Sequence, residues 1–385
     1  MFAHGTALLA PRPDRVPPPV QGGIAVAGEL SRPSGLGEAA RQMRAGIAAL
    51  GIPTWGIDVG AGAERIGPID IPPPGVPLLL HVNAPVLPYT LLRLPRALVR
   101  GRRIIAYWAW ELPVVPQTWR PALDFVHEIW ALSRFTEAAI ATILPAGREL
   151  PLRVVPIPLA ITPPRRSALG RADFGLPEGV VIVLTSFSLA SSFARKNPLA
   201  AIAAFRAAFA DRADRLLVLK IGNPGHFPAD FSAIRDAIAG AANIRIVTEN
   251  LPAADAHALT ACVDIVLSLH RSEGFGLVPA EAMLLGVPVV ATGWSGNMDF
   301  MDGGSAALIP CTLVPARDPR GVFEAPGALW AEPDVAAAAA ALVRLADDPT
   351  GRRALGERGR VMAGARLGLG PVRAAVERLG FEVAA

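Results

Sequence analysis

Ser268 to Asp302 reads SLHRSEGFGLVPAEAMLLGVPVVATGWSGNMDFMD. An apolar stretch closes at Ser268, and a loop broken by Gly274 and Gly276 follows. A helix is expected from about Leu277, then a short apolar strand, then a second glycine loop. Gly274 and Gly276 bracket Phe275, so backbone can approach a ligand there without a Cβ in the way. A helix that opens directly behind such a loop turns free N–H groups and a partial positive charge toward whatever lies in front of it. A diphosphate fits that description. Glu273, in the loop, can reach a sugar carried on the diphosphate, and Glu281, in the first turns of the helix, can accept bonds from a ribose.

The same alternation extends outward on both sides. Strands and helices are expected in turn over 180–187, 198–210, 215–221, 231–239, 244–248, 253–262, 264–268, 277–286 and 287–292. That regularity calls for a parallel sheet with helices on both faces. Residues 151–166, PLRVVPIPLAITPPRR, form a proline-rich connector of the kind found at domain boundaries. Before it, Ile24 to Leu30 is a short apolar strand, and Gly35-Leu-Gly37 opens a helix whose apolar positions Ala39, Met43, Ile47 and Leu50 recur at helical spacing. Further strands are expected near 78–82, 103–107 and 128–131. The fold class is therefore α/β, with a second α/β half following the first.

Composition narrows the alternatives. The chain has 385 residues, enough for two domains, and is 52% hydrophobic. Yet the longest uncharged apolar stretch near the C-terminus, Val335 to Val343, falls well short of the roughly 20 residues that span a bilayer. The N-terminus, MFAHGTALLAPRPDR, lacks the basic and apolar regions of a signal peptide. Cys262 and Cys311 show neither metal-ligand nor disulfide spacing, so a reducing cytoplasm is the expected location. The sequence pI is about 9.6, but no basic–aromatic nucleic-acid module accompanies it. Among 37 lysines and arginines only Lys196 and Lys220 are lysines. A lysine kept in an arginine-dominated chain suggests a need for a compact point charge. Lys196 follows an expected strand and Lys220 ends one, at the carboxyl ends where ligands of open α/β sheets bind. For Lys220, a surface lysine left by chance is an equal reading.

Glu273 and Glu281 enclose seven residues. With SLHRSEGFGL, AEAMLLGVPVVAT and SGNMDFM around them, they closely resemble the family-4 (group 1) retaining glycosyltransferases, particularly bacterial members that build surface polysaccharides, mannosyltransferases among them. The resemblance runs from about Ile24 to the C-terminal helix. It implies the GT-B architecture, two Rossmann-like domains facing across a cleft. The expected divisions are a loose leader over 1–23, an acceptor-side domain over 24–160, a nucleotide-sugar domain over 161–365 and a C-terminal helix over 366–385 that returns to the N-terminal domain.

The resemblance also implies site residues. Lys196 takes the place of the family's diphosphate-holding lysine, with Glu273 as its catalytic partner. Where the family usually has an arginine, five positions earlier, this chain has Ser191; Arg195, Ser191 or Ser192 would supply the missing contact. Gly35 and Gly37 correspond to the N-terminal glycine loop. Asn250 and Leu251, after IRIVTE, would meet the nucleotide base. Gly274, Phe275, Gly276 and Leu277 would close on the diphosphate, and Glu281 would hold the ribose. Tyr107-Trp108-Ala109-Trp110-Glu111 ends a strand with two readings: a sugar platform on Trp108 and Trp110 with Glu111 orienting an acceptor hydroxyl, or a tryptophan-rich core corner. His81, Asn83, Ser133 and Arg134 end neighbouring strands as further candidates.

The expected activity is metal-free transfer of a hexose, with retention, from a nucleoside-diphosphate sugar to a saccharide or lipid-linked saccharide. GDP-mannose is the favoured donor and a UDP-hexose the alternative. No cofactor and no metal ion is expected. Residues 91–103, LLRLPRALVRGRR, suit either contact with an anionic membrane surface or ordinary surface charge. A nucleotide-sugar 2-epimerase and a catalytically idle binding partner are the rival functions. A two-lobed solute-binding protein would need an export signal.

Overall fold

The computed structural model describes residues 7–60, 66, 69–145, 147 and 149–383. The chain divides into two compact units. The first comprises Met1–Thr162 and Leu367–Ala385, and the second Pro163–Arg366.

The first unit is built on six strands: β1 (Ile24–Gly28), β2 (Thr54–Asp58), β3 (Leu78–Leu80), β4 (Ile104–Trp108), β5 (Glu128–Ala131) and β6 (Leu152–Val154). All neighbours are parallel, in the order β2-β1-β3-β4-β5-β6. The inner strands are buried along their whole length, as a sheet covered on both faces requires. The helix Gly35–Ala49 buries Ala39, Ala40, Met43 and Ile47 against it. Ser34 caps this helix, its hydroxyl accepting from Gly37 N at 3.0 Å, a contact worth about 1 kcal/mol.

Two edge strands of this first sheet stand where the sequence reading had none. β6 falls inside the proline-rich connector, because an edge strand of three residues between Pro151 and Pro156 sacrifices few ladder bonds. β2 is only half-buried, so it lacks the apolar run that marks the inner strands. The expected loose leader is also different. At Arg12 and Asp14 it is tied to the first unit: Asp14 accepts from Gly101 N at 2.8 Å, the Asp14 carbonyl lies 2.7 Å from His127 Nε2, and Arg12 pairs with Asp124 at 3.3 Å. Residues 1–6 lie outside the described set. The C-terminal helix Gly370–Arg378 belongs to the same unit, with Ala160 N donating to Leu367 O at 3.0 Å.

The basic segment at 91–103 is not one amphipathic helix. A helix over Leu87–Arg93 ends before Pro95, and a single 3-10 turn follows at Arg96–Leu98. Arg102 is buried, donating to the carbonyls of Ala97 (2.7 Å), Pro73 (2.8 Å) and Val76 (2.9 Å). Arg96 and Arg100 remain exposed. No helix among the described residues is long and apolar enough to cross a membrane.

The second unit carries β7 (Val181–Ser188), β8 (Arg215–Gly222), β9 (Ile244–Val247), β10 (Ile265–Ser268), β11 (Val289–Thr292) and β12 (Ala307–Ile309). They form a wholly parallel sheet ordered β12-β11-β10-β7-β8-β9. Its core joins Val183, Phe205, Leu217, Leu267 and Leu342, so the helices Pro198–Phe209 and Val335–Asp347 are fixed to the sheet by apolar burial. The strand order reverses between β7 and β10. Ligands of such sheets bind beyond the carboxyl ends of the strands at that reversal. An antiparallel hairpin, β13 (Cys311–Pro315) with β14 (Leu329–Pro333), stands apart from the sheet. The fold is thus two parallel-sheet α/β units, the class expected.

Candidate active site

The loops after β7 and β10 carry the charged residues that the sequence singled out, and the fold brings them together. After β7, Ser192 caps the single helical turn Phe193–Lys196 by accepting from Arg195 N at 3.2 Å. That turn presents Arg195 and Lys196. After β10, the chain runs through Leu269 to Glu273 before the helix Leu277–Leu284 begins. Glu273 accepts a hydrogen bond from Lys196 Nζ and lies 3.1 Å from Arg195 Nη1.

Burial by itself would raise the Glu273 carboxyl above its ordinary value. The charges of Lys196, Arg195 and, less strongly, His270 more than reverse this and hold it at about 2. Glu273 is therefore ionised throughout the neutral range. Two cations against one carboxylate leave the cluster with a formal surplus of one positive charge, which suits an anionic ligand.

The two cations are not equivalent. The Arg195 side chain is 4% exposed, whereas that of Lys196 is 23% exposed. Arg195 donates to Ser272 O (2.8 Å) and Ser191 Oγ (2.8 Å), and its guanidinium lies 5.0 Å from the centre of the Phe323 ring. This side chain is built into the wall, and Lys196 is the cation with access to solvent.

A polar network holds Glu273 from behind. Its backbone N–H donates to Ser295 Oγ at 2.9 Å, and Gly296 N donates to Glu273 O at 2.9 Å. Asn297 Nδ2 donates to Thr292 O at 3.0 Å, while Asn297 Oδ1 faces His270 Nε2 at 3.1 Å. His270 is itself buried, and burial pushes its pKa down. Gly296 lies so close to the preceding loop that a Cβ would stand 2.0 Å from Gly274 O. Ser295, Gly296 and Asn297 make up the SGN motif, but the sequence did not reveal that their task is to support Glu273.

Gly274 to Leu277 form the expected turn. Gly276, at φ +96°, sits at the start of the helix, where a side chain would be strained. Phe275 points inward onto Phe300, with ring centroids 5.2 Å apart, so its side chain is core. Pro279 removes one of the early helix donors, leaving Leu277 and Val278 N–H at the opening. Glu281 lies one turn further along, its carboxylate 3.8 Å from His257 Nε2 on the helix Ala253–Cys262. Asn250 and Leu251 immediately precede that helix. Lys220 is half-buried at the end of β8, its pKa lowered by burial against an opposing effect of Glu249.

In the first unit, Gly37 N–H is taken by Ser34, and a Cβ there would lie 2.4 Å from Glu29 O, so this glycine serves the packing of its own loop. Gly35 begins the helix. Trp108 is fully buried and Trp110 nearly so; both meet Trp119 edge-on, at 5.6 and 5.1 Å, and Trp110 Nε1 donates to Val114 O at 2.8 Å. Their faces form a core corner, which corrects the sugar-platform reading. Glu111 is half-buried in the turn after β4. His81 is buried and stacked on Tyr107 at 4.3 Å. A separate concavity at the amino-terminal edge of this sheet is lined by Arg103, His127, Glu128 and Arg153, where Arg153 and Trp130 already satisfy Glu128.

Residues 182–348, within the second unit, match the family described as Glycosyl transferases group 1. The Lys196–Glu273 cluster lies inside the matched stretch. Among curated proteins, the D-inositol 3-phosphate glycosyltransferase of a Nocardioides species is 28% identical over 173 residues, 43% of this chain and 37% of that one. The lipopolysaccharide core biosynthesis mannosyltransferase LpsB of Rhizobium meliloti is 38% identical over 79 residues, 20% of this chain and 22% of that one. The matches thus span well under half the length of either relative. The fold is shared more widely. Anabaena HepE, solved with UDP and glucose, superimposes with a TM-score of 0.65 at 15% identity, covering 94% of this chain and 100% of that one. Sucrose-phosphate synthase of Thermosynechococcus elongatus gives 0.64 at 17% identity, covering 94% and 98%.

Proposed function

We propose that this protein is a retaining, metal-independent glycosyltransferase that moves a hexose from a nucleoside-diphosphate sugar to a saccharide or lipid-linked saccharide in polysaccharide biosynthesis. The observation that carries the reading is the Lys196–Arg195–Glu273 cluster at the strand-order reversal, inside the stretch that matches the group 1 family. Lys196 Nζ exchanges its bond with Glu273 for the donor's diphosphate and offsets the charge that gathers as the leaving group departs. Leu277 and Val278 N–H, at the opening of their helix, add to that stabilisation. Glu273, ionised, accepts bonds from the sugar hydroxyls, and Glu281 accepts from the ribose. The bond from the anomeric carbon to the diphosphate oxygen breaks. A bond to the acceptor oxygen forms on the same face, and the acceptor's proton leaves with the nucleoside diphosphate or a nearby base. Glu111 orients the acceptor hydroxyl.

GDP-mannose is the favoured donor, supported by the likeness to the LpsB mannosyltransferase. A UDP-hexose is the second reading, supported by the likeness to HepE with UDP and glucose. The test is release of nucleoside diphosphate from a panel containing GDP-mannose and UDP-glucose, without added metal and with saccharide acceptors. Turnover of one donor that Glu273→Ala abolishes is the expected result. No turnover, together with no binding of any nucleotide, would leave the catalytically idle partner as the better account.

A further inference from the structure

The hairpin of β13 and β14 lies outside the parallel sheet and outside every stretch from which the site was read. Its contacts nevertheless converge on the two loops that make the site. We propose that this hairpin is a positioning element for donor chemistry: Asp318, Phe323 and Glu332 fix the loops after β7 and β10 against each other and so set where Lys196 and Glu273 stand. The proposal rests on the glycosyl-transfer reading above.

Asp318, in the connection between β13 and β14, is only 1% exposed although its side chain is polar. One carboxylate oxygen accepts from Ser192 Oγ at 3.2 Å, and the other accepts from the N–H groups of Val322 (3.2 Å) and Phe323 (3.1 Å). A buried carboxylate held by this many donors is rigid, because each lost bond would strand a polar group away from water. The same Ser192 hydroxyl accepts from Arg195 N, so Asp318 fixes the cap of the turn that bears Lys196. The turn that Asp318 closes also lays the Phe323 ring over the Arg195 guanidinium.

The second attachment is to the loop after β10. Arg271 pairs with Glu332 of β14 through two bonds of 2.7 and 3.1 Å, and Ala331 N donates to Arg271 O at 2.9 Å. The third guanidinium nitrogen of Arg271 crosses to Ala194 O at 2.7 Å, in the loop after β7. One hairpin thus holds both loops, and Arg195 completes the bracket by bonding Ser272 O and pairing with Glu273. Arg195 acts through its neighbours, as Phe323 and Asp318 act through Arg195. Misplacing a reacting group by about 1 Å can cost about 100-fold in rate, so a loosened bracket has a kinetic signature.

The experiment compares wild type with Phe323→Ala, Phe323→Tyr and Glu332→Gln. Nucleoside-diphosphate stoichiometry and affinity are measured by calorimetry with UDP and GDP, and kcat and KM by donor turnover. Phe323→Ala removes the ring over Arg195 and leaves every hydrogen bond of Asp318 in place. Expected are an unchanged stoichiometry, a kcat reduced about tenfold with KM changed less, and recovery in Phe323→Tyr. Glu332→Gln, which weakens the other attachment, is expected to lower kcat in the same direction. Wild-type kcat in both Phe323→Ala and Glu332→Gln would overturn the proposal. So would a loss of kcat matched by an equal loss of nucleotide stoichiometry, since that is mere unfolding. If wild type itself binds neither nucleotide and turns over no donor, the glycosyl-transfer reading fails before any variant is compared.

Discussion

Glu273→Gln keeps the shape of the side chain and removes one charge from between two cations. The folded carboxyl titrates at about 2 against an ordinary value of 4.5. At 1.36 kcal/mol per pH unit, that gap corresponds to about 3 kcal/mol of stability in the charged form. A carboxyl whose pKa is lowered by folding binds its proton less readily in the native state than in the unfolded one. Its contribution is complete above about pH 4.5 and is lost as the pH falls toward about 2. The glutamine variant has no such titration, and it leaves Lys196 and Arg195 side by side without their anion. Melting temperatures of both proteins, measured from pH 7 to pH 3, check this. For a cooperative block of this unit's size, about 3 kcal/mol is on the order of 6 to 12 °C. The variant is expected to melt lower by that amount at pH 7 and pH 5, with more than half of the gap gone at pH 3. Equal melting at neutral pH, or a gap that stays constant into acid, would refute the charge balance assigned to this cluster.

Lys196→Ala is expected to lower donor turnover by about two orders of magnitude, or about 3 kcal/mol of transition-state stabilisation; activity within twofold of wild type would remove Lys196 from the mechanism. Gly296→Ala places a Cβ 2.0 Å from Gly274 O, so the loop must shift, and nucleotide affinity measured by calorimetry should fall by at least about tenfold. Chelation with EDTA should leave the rate of donor turnover unchanged, and restoration by one divalent ion after a loss would argue for a metal step. Flotation with anionic liposomes tests the surface formed by Arg96, Arg100 and the exposed Val86 and Leu92. Weaker binding of Arg96→Ala/Arg100→Ala is expected, and identical binding to anionic and neutral vesicles would retire the membrane contact.

The site was legible in the sequence to the extent that its residues are consecutive. Glu273 to Leu277 could be placed on one loop-to-helix turn because glycine spacing and helical apolar spacing are local signals. Lys196 stood out against the arginine-rich background and follows a strand. Arg195 was expected, with Ser191 or Ser192 as alternatives, to supply the donor contact that the resembling family takes from an arginine where this chain has Ser191. The burial of Arg195 against Phe323, Ser272 and Glu273 depends on chain segments far apart in sequence. Trp108 and Trp110 were equally ambiguous, since an aromatic at a strand end looks the same whether Trp119 covers it or not. β6 was hidden by flanking prolines and β2 by polar exposure, both common to edge strands.

Sequence alone determined that this chain alternates strand and helix in two halves, and that a loop with closely spaced glycines and a carboxylate precedes a helix. Periodicity, turn chemistry and N–H geometry act over a few residues, so they can be read from a linear string. Tertiary structure decided the rest. It placed β10 beside β7 and so brought Glu273 to Lys196 across 77 residues of sequence separation. It also folded a hairpin over both loops and divided the cations into a buried Arg195 and an accessible Lys196. Partial charges and exposure depend on which distant segment comes to rest against a side chain, and that is settled only when the sheet forms and its order reverses.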